Sequence, residues 1–163
     1  MINFHTHFNS RRSNIIAKNG MVATSQPLAT QAGIEILRAG GNAIDAAIAT
    51  VSTLCVTEPC STGVGGDAFA LIWSAKDKRL FGLNASGPAP AALTANYVRE
   101  LGHTTFPALG GLAVTVPGAI RGWEMALNQF GSLPLERILQ SAISYVRIRL
   151  SYCVLQVKAL SLM

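Results

Sequence analysis

Four features of this chain carry residue types that could do chemistry. A glycine-rich run, Gly63-Val64-Gly65-Gly66 followed by Ala68, satisfies the spacing of a dinucleotide fingerprint, in which backbone N–H groups at a helix start hold a pyrophosphate. His103-Thr104-Thr105 sets a base beside two hydroxyls, the residue types of a nucleophile and its activator. Cys60 follows Pro59 in a turn-forming stretch, where a thiol would be accessible. Asp45 is a carboxylate inside an otherwise apolar run and could serve as an acid or base.

The elements around these residues decide what each can do. Ile44, Ala47, Ile48, Val51, Leu54 and Cys55 recur at steps of three and four, the period of one buried helix face. Asn42 is a good N-cap for that helix, and Asp45 three residues on completes a capping box with aspartate in the glutamate position. Asp45 therefore has a structural role available that competes with catalysis. Pro59 turns its predecessor away from helical angles, so the helix should end near Thr57 or Glu58. The run Ala68-Phe69-Ala70-Leu71-Ile72-Trp73 reads as a strand, so the glycines follow a helix and precede a strand. A dinucleotide site needs the reverse order, and the nucleotide reading fails on context.

The rest of the chain reads as an alternation of short elements. Residues 21–25 read as a short buried strand, and Pro27 starts a helix through Leu37 that Gly40 and Gly41 terminate. The strand 68–74 faces a second, 79–83, across Ala75-Lys76-Asp77-Lys78, which predicts a hairpin. Helices are predicted near 94–101 with Thr94 as cap, over 118–130 with Pro117 just before the first turn, and over 133–146. No internal repeat and no low-complexity linker is visible.

Composition supports a buried core and excludes some partners. Half of the 163 residues are hydrophobic and 13% are charged. The net charge of +5 looks like a nucleic-acid signal until it is located. Between Asn14 and Ala142 basic and acidic residues balance at eight each, and the surplus is Arg11, Arg12, Arg147, Arg149 and Lys158 in the flanks. A nucleic-acid surface needs a cationic stripe on the folded part, so no nucleic-acid partner is expected. No apolar segment is long enough for a membrane span, and the best is interrupted by Asp45. Cys55, Cys60 and Cys153 have no metal-site spacing, and their odd number argues against a complete disulfide framework. Cys55 falls on the helix face as a small core residue. His5, His7 and His103 offer no clustered ligand set, so no metal and no cofactor is expected.

Several ordered motifs resemble the gamma-glutamyltransferase family. Gly20-Met21-Val22-Ala23, Pro27-Leu28-Ala29, Gly40-Gly41-Asn42-Ala43, Asp45-Ala46-Ala47, Glu58-Pro59, Gly63-Val64-Gly65-Gly66 and Phe69 look like its amino-terminal part. Leu83-Asn84-Ala85-Ser86-Gly87-Pro88-Ala89-Pro90-Ala91 and Thr115-Val116-Pro117-Gly118-Ala119-Ile120-Arg121-Gly122-Trp123 continue the likeness. It divides the chain into a leader at 1–18 without family pattern, a matched region at 19–145 from the large subunit, and a divergent tail at 146–163. A truncated or frameshifted gene product accounts for that tail, and a genuine short protein with its own carboxyl end is the rival. The leader lacks the apolar stretch of a secretory signal, which favours the cytoplasm and leaves the compartment of an intact relative undetermined.

The resemblance implies an α/β (α+β) fold, part of the αββα sandwich of N-terminal nucleophile hydrolases, here as a helix-rich portion with a β-hairpin. It also implies an acyltransferase or hydrolase that cleaves gamma-glutamyl compounds such as glutathione, through a threonine freed by self-cleavage at the start of a small subunit. That threonine motif is not found in this chain, so no catalytic residue is assigned and the isolated chain is expected to be inactive. His103-Thr104-Thr105 has the right residue types in the wrong order for the motif and lies too early, which predicts a loop or helix exit. Pro88 stands where relatives have an arginine thought to grip the substrate carboxylate, a task suited to paired guanidinium donors. Three readings stay open: a gamma-glutamyltransferase fragment, a non-catalytic partner chain completed by a complementary small subunit, and part of an amidase with a different acyl substrate.

Overall fold

The computed structural model describes residues 13–148. In chain order it contains α1 (Pro27–Arg38), α2 (Ala43–Thr57), β1 (Ala68–Ser74), β2 (Arg79–Ala85), α3 (Ala95–Glu100), α4 (Ala119–Phe130) and α5 (Leu135–Arg147), with a 3-10 turn at Gly111–Ala113. The strands β1 and β2 form an antiparallel hairpin, with Ala68 opposite Ala85 and Ser74 opposite Arg79. The predicted helices and hairpin are all present, with β2 two residues longer than the sequence suggests. The 3-10 turn has no sequence counterpart. The leader and tail expectations fall largely on residues 1–12 and 149–163, outside the described residues.

Local chemistry explains where the first two helices stop and start. The Gly40 N–H donates to the Leu37 carbonyl and the Gly41 N–H to the Ile36 carbonyl, at 3.1 and 3.0 Å. This is a Schellman closure, and it requires the left-handed backbone that Gly40 adopts at φ 89°. Asn42 then caps α2: its side-chain oxygen accepts from the Ile44 and Asp45 N–H groups, while Asp45 accepts from the Asn42 N–H at 2.9 Å. The capping box expected from sequence is therefore formed.

Two sequence expectations need correction. Residues 21–25 form no strand: Ser25 is a bend, the segment pairs with no strand among the described residues, and its side chains alternate between exposed and half-buried rather than being buried. Apolar alternation can be read from local sequence, whereas a strand requires a second backbone to bond to. The buried side of α2 is also not the predicted one. Asp45, Ala46, Ala49, Ser52, Thr53 and Thr57 are buried with Ile48, while Ala47 is exposed and Ile44, Val51, Leu54 and Cys55 are half-buried. Small residues permit close helix approach, and the hydroxyls of Thr50, Thr53 and Thr57 satisfy themselves by donating to the carbonyls of Ala46, Ala49 and Thr53 four residues earlier. Hydroxyls that look polar in sequence are thus compatible with burial against α1 and α5.

The core gathers Ile36, Ala46, Ile48, Ala49, Trp123 and Ile138, with Val22, Ala68, Leu127 and Leu133 packed around it. The hairpin turns alternate side chains to opposite faces. Ala68, Ala70 and Ile72 face the helical side, whereas Phe69, Leu71 and Trp73 are 68%, 79% and 61% exposed.

Candidate functional site

Asp45 is fully buried, and its surroundings settle its role as structural. Besides closing the capping box, its carboxylate accepts from the Ser132 N–H at 3.0 Å, the Ser132 hydroxyl and the Leu133 N–H at 3.4 Å. The start of α2 is thereby fastened to the connection between α4 and α5. Burial raises the carboxyl's pKa, but the hydrogen bonds from Ser132, Asn42 and Leu133 outweigh it and hold it below the ordinary aspartate range. A carboxylate so saturated with donors is not poised to exchange protons with a substrate.

The other candidates do not converge on a catalytic centre. His103, Thr104 and Thr105 lie in the turn that leaves α3, along a shallow depression shared with Val98 and Arg99. Cys60 is exposed in the turn after α2, and Cys55 is half-buried, with its thiol pKa pushed up by burial. Among the described residues no three His, Cys, Asp or Glu side chains form a group that could hold a metal, and no helix is long and apolar enough to cross a membrane.

Three segments far apart in sequence do meet. Residues 63–67 lead into β1, residues 86–90 leave β2, and residues 115–118 lead into α4. The Gly66 carbonyl accepts from the N–H groups of Gly118 and Ala119 at 3.1 and 3.0 Å, so the glycine run closes the first turn of α4. The Pro88 carbonyl accepts from the Val116 N–H at 3.1 Å. One Asp67 carboxylate oxygen accepts from both the Gly87 N–H and the Thr115 hydroxyl, each at 3.1 Å. The approach is close enough to forbid side chains: a Cβ on Gly87 would lie 1.4 Å from the Val116 carbonyl oxygen, and one on Gly118 would lie 2.2 Å from that of Ala85.

Pro88 is exposed on the rim formed by these segments. The Gly87 amide holds the Asp67 carboxyl below its ordinary range against slight desolvation, with the hydroxyls of Thr115 and Ser86 adding to the effect. Asp67 escapes sequence reasoning because its partners are 20 and 48 residues away. The only local signal is an acid immediately after a glycine run. Behind the rim, between α2, β1 and α4, lies a cleft of about 470 Å³ lined mainly by apolar side chains, including Ile44, Val51 and Trp123. Its lining includes the α2 face expected to be core.

A profile of the family described as Gamma-glutamyltranspeptidase matches residues 29–148. The chain belongs to that family. It is 39% identical over 138 residues to Glutathione hydrolase proenzyme 1 of Schizosaccharomyces pombe, a match covering 85% of this chain and 21% of that protein. Among solved structures, cephalosporin acylase from Bacillus halodurans matches at 54% identity and a TM-score of 0.77, over 85% of this chain and 26% of the acylase. Helicobacter pylori gamma-glutamyltranspeptidase matches at 33% identity and a TM-score of 0.74, over 82% of this chain and 39% of that one. The chain thus spans between about a fifth and two fifths of the length of these three relatives. The α+β architecture is that of the N-terminal nucleophile hydrolases in this family, of which the described residues form a helix-rich portion with one hairpin.

Proposed function

We propose that this chain is the front segment of an amidohydrolase of the gamma-glutamyltranspeptidase family, and that the rim carrying Pro88 helps to shape the pocket for the acyl group. In the reaction the resemblance implies, a threonine hydroxyl attacks the amide carbonyl and the amine leaves with a proton. Water or an acceptor amine then takes the acyl group and regenerates the hydroxyl. The residues of this chain do not include that threonine motif, so catalysis needs a further segment that supplies it, and the 163 residues alone are inactive. The observation that carries the reading is the meeting of three family motifs, at residues 63–67, 86–90 and 115–118, through hydrogen bonds of 3.0–3.1 Å.

Pro88 favours a particular branch of this chemistry. The structure puts its ring on an exposed rim, with no donor of its own to offer a carboxylate. Together with the 54% identity to a cephalosporin acylase, this supports an acyl donor other than a gamma-glutamyl group. The test is to join the chain to the threonine-bearing remainder of a relative and compare gamma-glutamyl anilide with a simple acyl anilide. Regaining a charged hydrogen bond of about 1.5–3 kcal/mol, Pro88→Arg should raise kcat/KM for the gamma-glutamyl substrate by about 10- to 150-fold and leave the other unchanged. An unchanged ratio would refute the role given to residue 88. Enzyme-like turnover by the 163-residue chain alone would refute the front-segment reading.

A further inference from the structure

From the geometry of the rim we infer that Asp67 is a positioning residue, whose ionised carboxylate latches the segment 86–88 to the segment at Thr115 and so fixes Pro88 where the acyl group would be met. The inference rests on the reading of Pro88 given above. Its structural basis is that one carboxylate oxygen holds the Gly87 N–H and the Thr115 hydroxyl together, each at 3.1 Å, from the residue just before β1. The remaining ties across the rim are backbone to backbone: Val116 to Pro88, and Gly118 and Ala119 to Gly66. Asp67 is therefore the side chain that bridges all three segments among the described residues.

The latch needs charge as well as shape. Outside the close backbone contact of Gly87 with Val116, segment 86–90 is exposed coil, and an amide hydrogen bond to a carboxylate is about twice as strong as one to a neutral oxygen. The bare Cα of Gly87 is what permits the approach, since any side chain there would strike the Val116 carbonyl. The groups acting on Asp67 are Gly87, Thr115 and Ser86, none of them charged. Of the charged groups on adjoining elements, Glu58 before the glycine run is occupied by Ser25 and Ser61, and Arg121 and Glu124 on α4 pair with each other. Ionisation of Asp67 can therefore be read at Gly87 without a competing titration in direct contact.

The test follows the Gly87 amide by NMR in the full chain labelled with 15N-glycine. In the unsubstituted chain its chemical shift should titrate with Asp67, at a midpoint below the ordinary aspartate range. In Asp67→Asn the titration should vanish and hydrogen-exchange protection at Gly87 should fall about tenfold, the difference between a charged and a neutral acceptor. Asp67→Ala should lose more, whereas Thr115→Val should retain the titration. In the enzyme completed as above, Asp67→Asn should raise KM for the acyl donor several-fold with kcat little changed. A Gly87 amide blind to pH, or equally protected in Asp67→Asn, would overturn the latch. An unmoved KM despite lost protection would overturn the positioning role, and neither result bears on whether the completed enzyme hydrolyses amides.

Discussion

Replacing Asp45 by alanine tests the fastening between α2 and the α4–α5 connection. The side chain is wholly buried and serves donors from two directions, Asn42 on its own helix and Ser132 with Leu133 across the fold. Loss of the reciprocal capping-box bond from the Asn42 N–H contributes about 1 kcal/mol. Stranding the Ser132 and Leu133 donors in a buried site adds about 1–3 kcal/mol. The sum of about 2–4 kcal/mol corresponds to a fall in Tm of about 5–15 °C for a chain of this size. Asp45→Asn keeps the shape and one acceptor oxygen, so it should lose less.

The comparison with asparagine also has a pH signature. Its hydrogen bonds hold the folded carboxyl below the ordinary aspartate range, so the stability it contributes is present above the unfolded pKa and is lost as pH falls through the folded pKa. Urea unfolding of the unsubstituted chain, Asp45→Asn and Asp45→Ala at pH 7 and at several acid values would measure both effects. The gap to Asp45→Asn should be widest at neutral pH and close in acid. An Asp45→Ala variant within 0.5 kcal/mol of the parent, or a gap independent of pH, would refute the reasoning.

Other substitutions probe the remaining contacts. A methyl group on Gly33 would lie 2.3 Å from the Thr50 hydroxyl and 2.9 Å from a Val22 methyl, so Gly33→Ala should destabilise by about 1–3 kcal/mol in thermal melts, and an unchanged melt would mean α1 and α2 can part freely. Alkylation at neutral pH followed by peptide mapping should modify exposed Cys60 well before half-buried Cys55, whose thiol is held protonated by burial; the reverse order would contradict the packing of α2. Trp73→Glu places a charge on the exposed apolar side of the hairpin and should reduce self-association measured by sedimentation, whereas an unaffected distribution would locate the adhesive surface elsewhere.

What the sequence made legible was local. Asn42 and Asp45 are three residues apart, so the capping box could be read directly, and the order of helix, glycines and strand was enough to exclude a nucleotide site. Ser132, the other half of the Asp45 arrangement, lies 87 residues away and gave no sign of itself. The same holds for the rim, where Gly87 is required by a carbonyl at residue 116 and Asp67 by groups at 87 and 115. Periodicity named the apolar face of α2 but could not tell that the alanine and threonine face would be the more deeply buried. That outcome depends on which neighbour comes closest, and hydroxyls bonded to their own helix remove the usual objection to burial.

Helix α4 is moored at both ends by groups outside itself. Its first turn takes the Gly66 carbonyl, and the carbonyl of its last residue, Phe130, accepts from the Asn42 side chain beside the Asp45 anchorage. Twelve residues make a strut about 18 Å long between the rim at Gly66 and the cap of α2. A strut fixed at each end can tilt with its moorings but cannot glide past them. Any movement that a ligand imposes at Gly66 should therefore be felt at the α2 cap, and a substitution at Asn42 should loosen a surface that it never touches.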